Sequence, residues 1–177
     1  MTGEGRLVAG RYRLISELGA GGYGRVWKAR DESLRIDVAV KAIELSQVGS
    51  DKERAERIAR AMREARNAAQ LRAHPHIVSV HDVVVDDGTP WIVMELVNGH
   101  SLQEELDANG RLPLERVRQI AQEVLKALSA AHTAGNVHRA VKPSNVLPAD
   151  DGGILLADFG TAVHGDDSPA GDLFSHC

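Results

Sequence analysis

Three short stretches carry residue types that do chemistry rather than fill cores: Gly19-Ala20-Gly21-Gly22-Tyr23-Gly24, His138-Arg139-Ala140-Val141-Lys142-Pro143-Ser144-Asn145, and Asp158-Phe159-Gly160. The first has G-x-G-x-x-G spacing, which in a dinucleotide site lies between a strand and a helix. Here Tyr12 to Leu18 and Arg25 to Ala29 both have the β-branched and apolar character of strands, so the order is strand, glycine loop, strand. That context excludes a dinucleotide fold, and taken alone the glycines are equally well explained as turn punctuation. His74, His76 and His81 raise the question of a metal site, but clustered histidines without a Cys or carboxylate partner at ligand spacing form a weak motif.

The elements that must position these residues can be placed from periodicity. Asp37 to Ile43 reads as a third strand, carrying Lys41. From Asp51 to about Arg72 the pattern is helical, with Ile58, Met62, Ala65 and Ala69 on one face. Ile77 to Val85 and Trp91 to Leu96 are β-rich and joined through Asp86-Asp87-Gly88, a hairpin signal. Asn98-Gly99 breaks the pattern. Ser101 can cap a short helix ending near Asn109-Gly110. Leu114 to His132 is a long amphipathic helix with Val117, Ile120, Ala121, Val124, Leu125 and Leu128 on one face. A last hairpin joins Asn145-Val146-Leu147 to Ile154-Leu155-Leu156. The expectation is α+β: a five-stranded antiparallel sheet with one main helix, then a mainly helical part.

Composition narrows the function classes. A net charge of −4 argues against a nucleic-acid surface, which needs a basic excess to displace counterions. The arginines at 54, 57, 60, 63 and 66 recur every third residue and wind around a helix rather than forming one face, as a solvated helix paired with Glu53 and Glu56 would. No apolar run approaches the roughly 20 residues that cross a bilayer, and the N-terminus has no signal-peptide core. Cys177 is the sole cysteine, which excludes an internal disulfide and suits a reducing, cytoplasmic setting.

With these residues laid out, the chain resembles the protein kinase superfamily, in particular the bacterial Hanks-type Ser/Thr kinases. The motifs run in family order: the glycine loop, Val38-Ala39-Val40-Lys41, a helix bearing Glu64, His74-Pro75-His76-Ile77-Val78, the catalytic-loop stretch, then Asp158-Phe159-Gly160. The resemblance implies an N-lobe over 1–97 and a partial C-lobe over 98–177. It implies ATP and Mg²⁺ as cofactors. Gly19, Gly21 and Gly24 would let the backbone approach the phosphates, Lys41 would neutralise them while paired with Glu64, and Lys142 would approach the γ phosphate. Asn145 and Asp158 would hold Mg²⁺. Met94 would guard the back of the adenine slot, the backbone of Glu95 and Val97 would bond the adenine edge, and Val26, Ala39 and Leu147 would enclose the ring. His138 would pack against Phe159.

Two departures modify what the resemblance implies. The catalytic loop has Ala140 where H-R-D-L-x-x-x-N has the Asp that accepts the substrate proton. A positioned general base contributes on the order of 10² to 10⁴ in rate. After Gly160 comes a polar stretch of activation-segment character holding Thr161, Ser168 and Ser175, and the family's later helices have no counterpart. Three readings follow: a Ser/Thr kinase with impaired transfer, an ATP-binding pseudokinase that regulates or scaffolds, and a degenerate or truncated kinase fragment. Without those later helices, part of the Val117, Ile120, Val124 and Leu128 stripe is expected to lie uncovered, favouring a protein partner or self-association.

Overall fold

The computed structural model describes residues 3–21, 24–43 and 50–159. Its first half is a six-stranded antiparallel sheet ordered β1-β2-β3-β4-β6-β5, with β1 Leu7–Val8, β2 Tyr12–Gly21, β3 Gly24–Asp31, β4 Ile36–Ala42, β5 Val80–Asp86 and β6 Thr89–Glu95. Helix α1, Asp51–Ala69, lies between β4 and β5 in sequence. The second half holds α2 Leu102–Asn109, α3 Leu114–Thr133 and the hairpin of β7 Val146–Pro148 with β8 Ile154–Leu156. The α+β class holds, and the strand count is six rather than five. Leu7 and Val8 pair with Arg13 and Tyr12, and Val8 is fully buried among Trp27, Trp91 and Val93. Two residues are too short to show a period.

Alternation along the central strands divides the core. Val38, Val40, Trp91 and Val93 join one cluster, whereas Ala39, Ile92 and Met94 face the opposite way, toward Ala61 and Ala65 of α1. A third cluster fills the helical half: Leu71 and Ile77 from the α1–β5 connector, Ile120, Ala127 and Ala131 from α3, and Val146, Ile154, Leu156 and Phe159. Strand β5 starts at Val80 rather than Ile77, because Ile77 bridges Leu156 in parallel and belongs to the lower core.

Both predicted helix faces are rotated. In α1 the buried residues are Ala61, Ala65 and Ala68, and in α3 they are Ile120, Ala127 and Ala131. Val124 and Leu128 flank that seam, while Val117 and Leu125 are 46% and 64% exposed. The residues these helices bury are mostly alanines, and larger apolar residues such as Val124 and Leu128 are only partly buried beside them.

Caps fix where helices begin. Ser50 Oγ accepts from Glu53 N at 3.3 Å while Glu53 Oε2 accepts from Ser50 N at 3.1 Å, a capping box repeated by Ser101 and Glu104 on α2. Between β6 and α2 the chain crosses against β7, where Asp150 N donates to Asn98 O at 2.9 Å. Gly99 makes this crossing at φ 153°, and a Cβ there would lie 2.3 Å from Pro148 O.

Candidate functional site

A cleft of about 420 Å³ separates the sheet from the helical half. Leu18, Gly19, Val26, Ala39 and Lys41 line it from β2, β3 and β4; Met94 to Val97 form its back; Lys142, Asn145, Leu147 and Asp158 form its floor. These residues are distant in sequence, and strand pairing brings them together: Val26 is opposite Lys41, and Ala39 opposite Met94. Glu95 is fixed from both sides, its N donating to Ser79 O at 2.9 Å and its Oε1 accepting from Ser79 N at 2.6 Å. Val78, Gly99, His100, Ser101, Glu104, Ser144 and Ala157 also line the cleft, and no motif in the sequence marks them as lining.

At the floor, Lys41 is buried and its Nζ lies 2.9 Å from Asp158 Oδ2. A desolvated cation and anion of this kind are each costly alone, so the pair holds β4 to the segment after β8. Asp158 takes φ 63° and Arg139 φ 61°, left-handed conformations uncommon outside glycine. Such backbone strain persists where the surroundings over-determine it, and it clusters at functional sites.

The loop bearing Ala140 is framed by main-chain bonds. Asn145 is buried and its Nδ2 donates to Ala140 O at 2.8 Å, which leaves Oδ1 as the acceptor end of the amide. His138 Nε2 lies 2.7 Å from Ala157 O, and Nδ1 accepts from Ala140 N at 3.2 Å. Those two contacts require the neutral tautomer with hydrogen on Nε2. Burial pushes His138 below the usual imidazole range, partly offset by the Ala157 carbonyl and by Asp158. Its ring meets Phe159 edge-on at 4.5 Å. His138 is therefore a structural pillar beneath the loop.

Glu64 stands apart from the cleft. Its Oε1 accepts from Arg60 Nε at 3.2 Å, one helical turn away, and its Oε2 is buried without a hydrogen-bond partner. The ion pair of Lys41 runs to Asp158, and Glu64 lines a separate cavity of about 230 Å³ with Asn67, His138, Arg139 and Phe159. The i,i+4 spacing of Arg60 and Glu64 was the available signal for this pair. Ala140 is partly buried and is not among the residues lining the cleft. Gly21 and Gly24 face each other in register at the β2–β3 tip. Gly22, Tyr23, Gly160, Thr161, Ser168, Ser175 and Cys177 lie outside the described residues. Among the described residues no group of three His, Cys, Asp or Glu could hold a metal ion, and no helix is long and apolar enough to cross a membrane.

A twisted antiparallel sheet over a helical half, with a lysine and an aspartate joined across the cleft between them, defines the class. The protein kinase domain family matches residues 12–174, and the chain belongs to that family. Among its relatives, the Ser/Thr protein kinase PknA of Mycobacterium tuberculosis is 43% identical over 170 residues, covering 93% of this chain and 38% of PknA. The Ser/Thr protein kinase PrkC of Bacillus subtilis is 37% identical over 159 residues, covering 90% of this chain and 24% of PrkC. The crystal structure of the Mycobacterium tuberculosis PknI kinase domain superposes with a TM-score of 0.78 at 34% identity, covering 92% of this chain and 64% of that one. The chain thus spans less than two thirds of each of these proteins.

Proposed function

We propose that this chain is a MgATP-binding kinase domain in which transfer of the γ phosphate to protein hydroxyls is impaired or absent, with the lobe boundary at residues 97 and 98. The observation that carries the reading is the separation at the catalytic loop: the frame and the cleft-facing polar groups are in place, and the side chain at position 140 is a methyl group.

The residues present suit the nucleotide. A Cβ built on Gly19 would meet nothing within 4 Å. Protein packing therefore does not demand glycine there, and close approach of the nucleotide phosphates would. Lys41 offers a buried cation to phosphate oxygens, with Lys142 also on the cleft lining. Asp158 and the Asn145 Oδ1 are the hard oxygen donors that Mg²⁺ prefers. Val26, Ala39 and Leu147 would enclose the base, and the backbone of Glu95 and Val97 would read its edge. MgATP supplies the transferable phosphoryl group; the chain's residues supply binding, orientation and charge neutralisation. What they lack is an acceptor for the hydroxyl proton. Lys41 would exchange part of its contact with Asp158 for phosphate, and Glu64, on leaving Arg60, would steady Lys41.

A second reading, a regulatory or scaffolding pseudokinase, is favoured by the outer face of α3, where Leu114, Val117 and Leu125 are exposed at 83%, 46% and 64%. A protein partner or a second copy of the chain would cover them. Titration calorimetry of MgATP into the wild type, Lys41→Met and Asp158→Asn tests the nucleotide site. Each variant should bind about 10- to 100-fold more weakly, as loss of a hydrogen bond to a charged group predicts. Equal affinity in all three removes the assignment.

A further inference from the structure

We propose that the Glu95 side chain is a positioning residue: by accepting the Ser79 N–H it releases the Glu95 main-chain carbonyl from the sheet, so that this carbonyl can accept from the exocyclic amine of adenine. The inference rests on the nucleotide reading above and names what selects the base. Strand β5 pairs with β6 as far as Val80 opposite Met94, so Ser79 and Glu95 are the next opposed residues. A hydrogen-bonded pair in an antiparallel ladder exchanges two bonds, N–H to C=O in each direction. Only one of them is made here.

Glu95 N donates to Ser79 O at 2.9 Å, and the returning N–H of Ser79 goes to Glu95 Oε1 at 2.6 Å instead of to the carbonyl of the same residue. The side chain has replaced its own backbone as the acceptor. Ser79 is held for this exchange from a third direction, since its Oγ donates to Arg72 O at 2.9 Å in the segment that follows α1. The carbonyl finds no substitute within the sheet. In a strand the N–H and C=O of one residue point the same way, here toward Ser79, so Val38 on β4 is out of reach. Among the described residues no loop or turn donor reaches Glu95 O, and the N and O of Val97 make no main-chain bond.

Glu95 and Val97 both line the cleft. A carbonyl drawn into the ladder points along the sheet toward Ser79, whereas one held out of it is available to a donor in the cleft. Adenine offers such a donor in its exocyclic amine, which lies in the plane of the ring edge. A 6-oxo purine would present oxygen to oxygen. The Glu95 side chain thus bears on which base the cleft takes without touching the base itself.

Two measurements test this. Through-hydrogen-bond NMR coupling on the ¹⁵N,¹³C-labelled wild type, without nucleotide, should join Ser79 N to the side-chain carboxyl carbon of Glu95. Coupling to the Glu95 main-chain carbonyl carbon overturns the proposal, whatever the chain binds. Titration calorimetry then compares MgATP with the magnesium complex of purine riboside triphosphate, which lacks only the amine. The wild type should prefer MgATP about 3- to 10-fold, as one net hydrogen bond predicts. Glu95→Met removes the side-chain acceptor, so Ser79 N should reclaim the carbonyl and the preference should disappear, whereas Glu95→Gln keeps an acceptor oxygen and should keep the preference. General loosening of the site would weaken both nucleotides alike and leave their ratio intact. A ratio unchanged in Glu95→Met, or a wild type that binds both nucleotides equally, therefore overturns the proposal. A wild type that bound neither would remove the nucleotide reading, and with it the role given to the carbonyl, even with the coupling as expected.

Discussion

The two sides of the catalytic loop are built differently. Toward the cleft the structure is held by side chains, with Lys41 against Asp158 and Asn145 tied down by its own amide. At position 140 the side chain is a methyl group, yet the same residue's N–H and C=O both serve as anchors, one for His138 and one for Asn145. A backbone framework depends only weakly on which side chain hangs from it, so an acid can disappear from this position without dismantling its surroundings. The proposed separation of binding from proton acceptance rests on that physical reason.

The strongest way to break the comparison is to put the acid back. Ala140→Asp should leave MgATP affinity unchanged and raise phosphate transfer to a generic protein substrate. The gain should reach on the order of 10²-fold or more, since a positioned base contributes about 10² to 10⁴, or roughly 3 to 5 kcal/mol of barrier. Transfer of labelled γ phosphate by both forms decides it. Robust turnover by the unmodified chain, or no gain in the variant, would mean that the missing carboxylate is not what limits the reaction.

A smaller effect separates glycines that serve the fold from glycines that serve a ligand. Gly19 and Gly99 both line the cleft. Gly99→Ala must move the Pro148 carbonyl or abandon φ 153°, and should cost roughly 1–3 kcal/mol, read as a drop of several degrees in Tm. Gly19→Ala has open space and should leave Tm in place while weakening MgATP. If both variants behaved alike, Gly19 would have no function beyond its strand.

Much of this was legible in the sequence, and the exceptions share a cause. Strands with alternating large residues, the Ser101 cap and the motif order are signals written in local pattern, and they gave the sheet, α2 and the family. The α1 and α3 faces are harder to read, because periodicity favours the large residues Met62, Val117 and Leu125, whereas the buried seams consist mostly of alanines, Ala61, Ala65, Ala127 and Ala131. Gly99 could be read as a breaker, but the carbonyl that forbids a side chain belongs to Pro148, remote in sequence. Arg60 reads as one arginine in a solvated run, and the resemblance assigns its partner Glu64 to Lys41 instead. Patterns report what a residue is suited to, and competition between partners is settled only in three dimensions.

The smallest effect concerns the protonation of the framework itself. His138 can bond both Ala140 N and Ala157 O only while neutral, and burial holds it below the ordinary imidazole range. In the unfolded chain a histidine takes up a proton near pH 6.5. Between that point and the lower folded value the unfolded state binds more protons, so stability must fall as pH falls. His74, shifted the same way by burial, adds to this slope. Asp31, Asp37 and Asp86, held below the usual carboxylate range by bonds from Arg11, Arg30 and Arg6, do not contribute in that window, because an unfolded aspartate takes up its proton only near about pH 4 and both states are ionised above it. Urea midpoints measured from about pH 7 to pH 5 should therefore decline, and decline less in His138→Gln. A wild-type slope retained in full by His138→Gln would place the proton elsewhere, and the loop's frame would then tolerate a charged histidine at its centre.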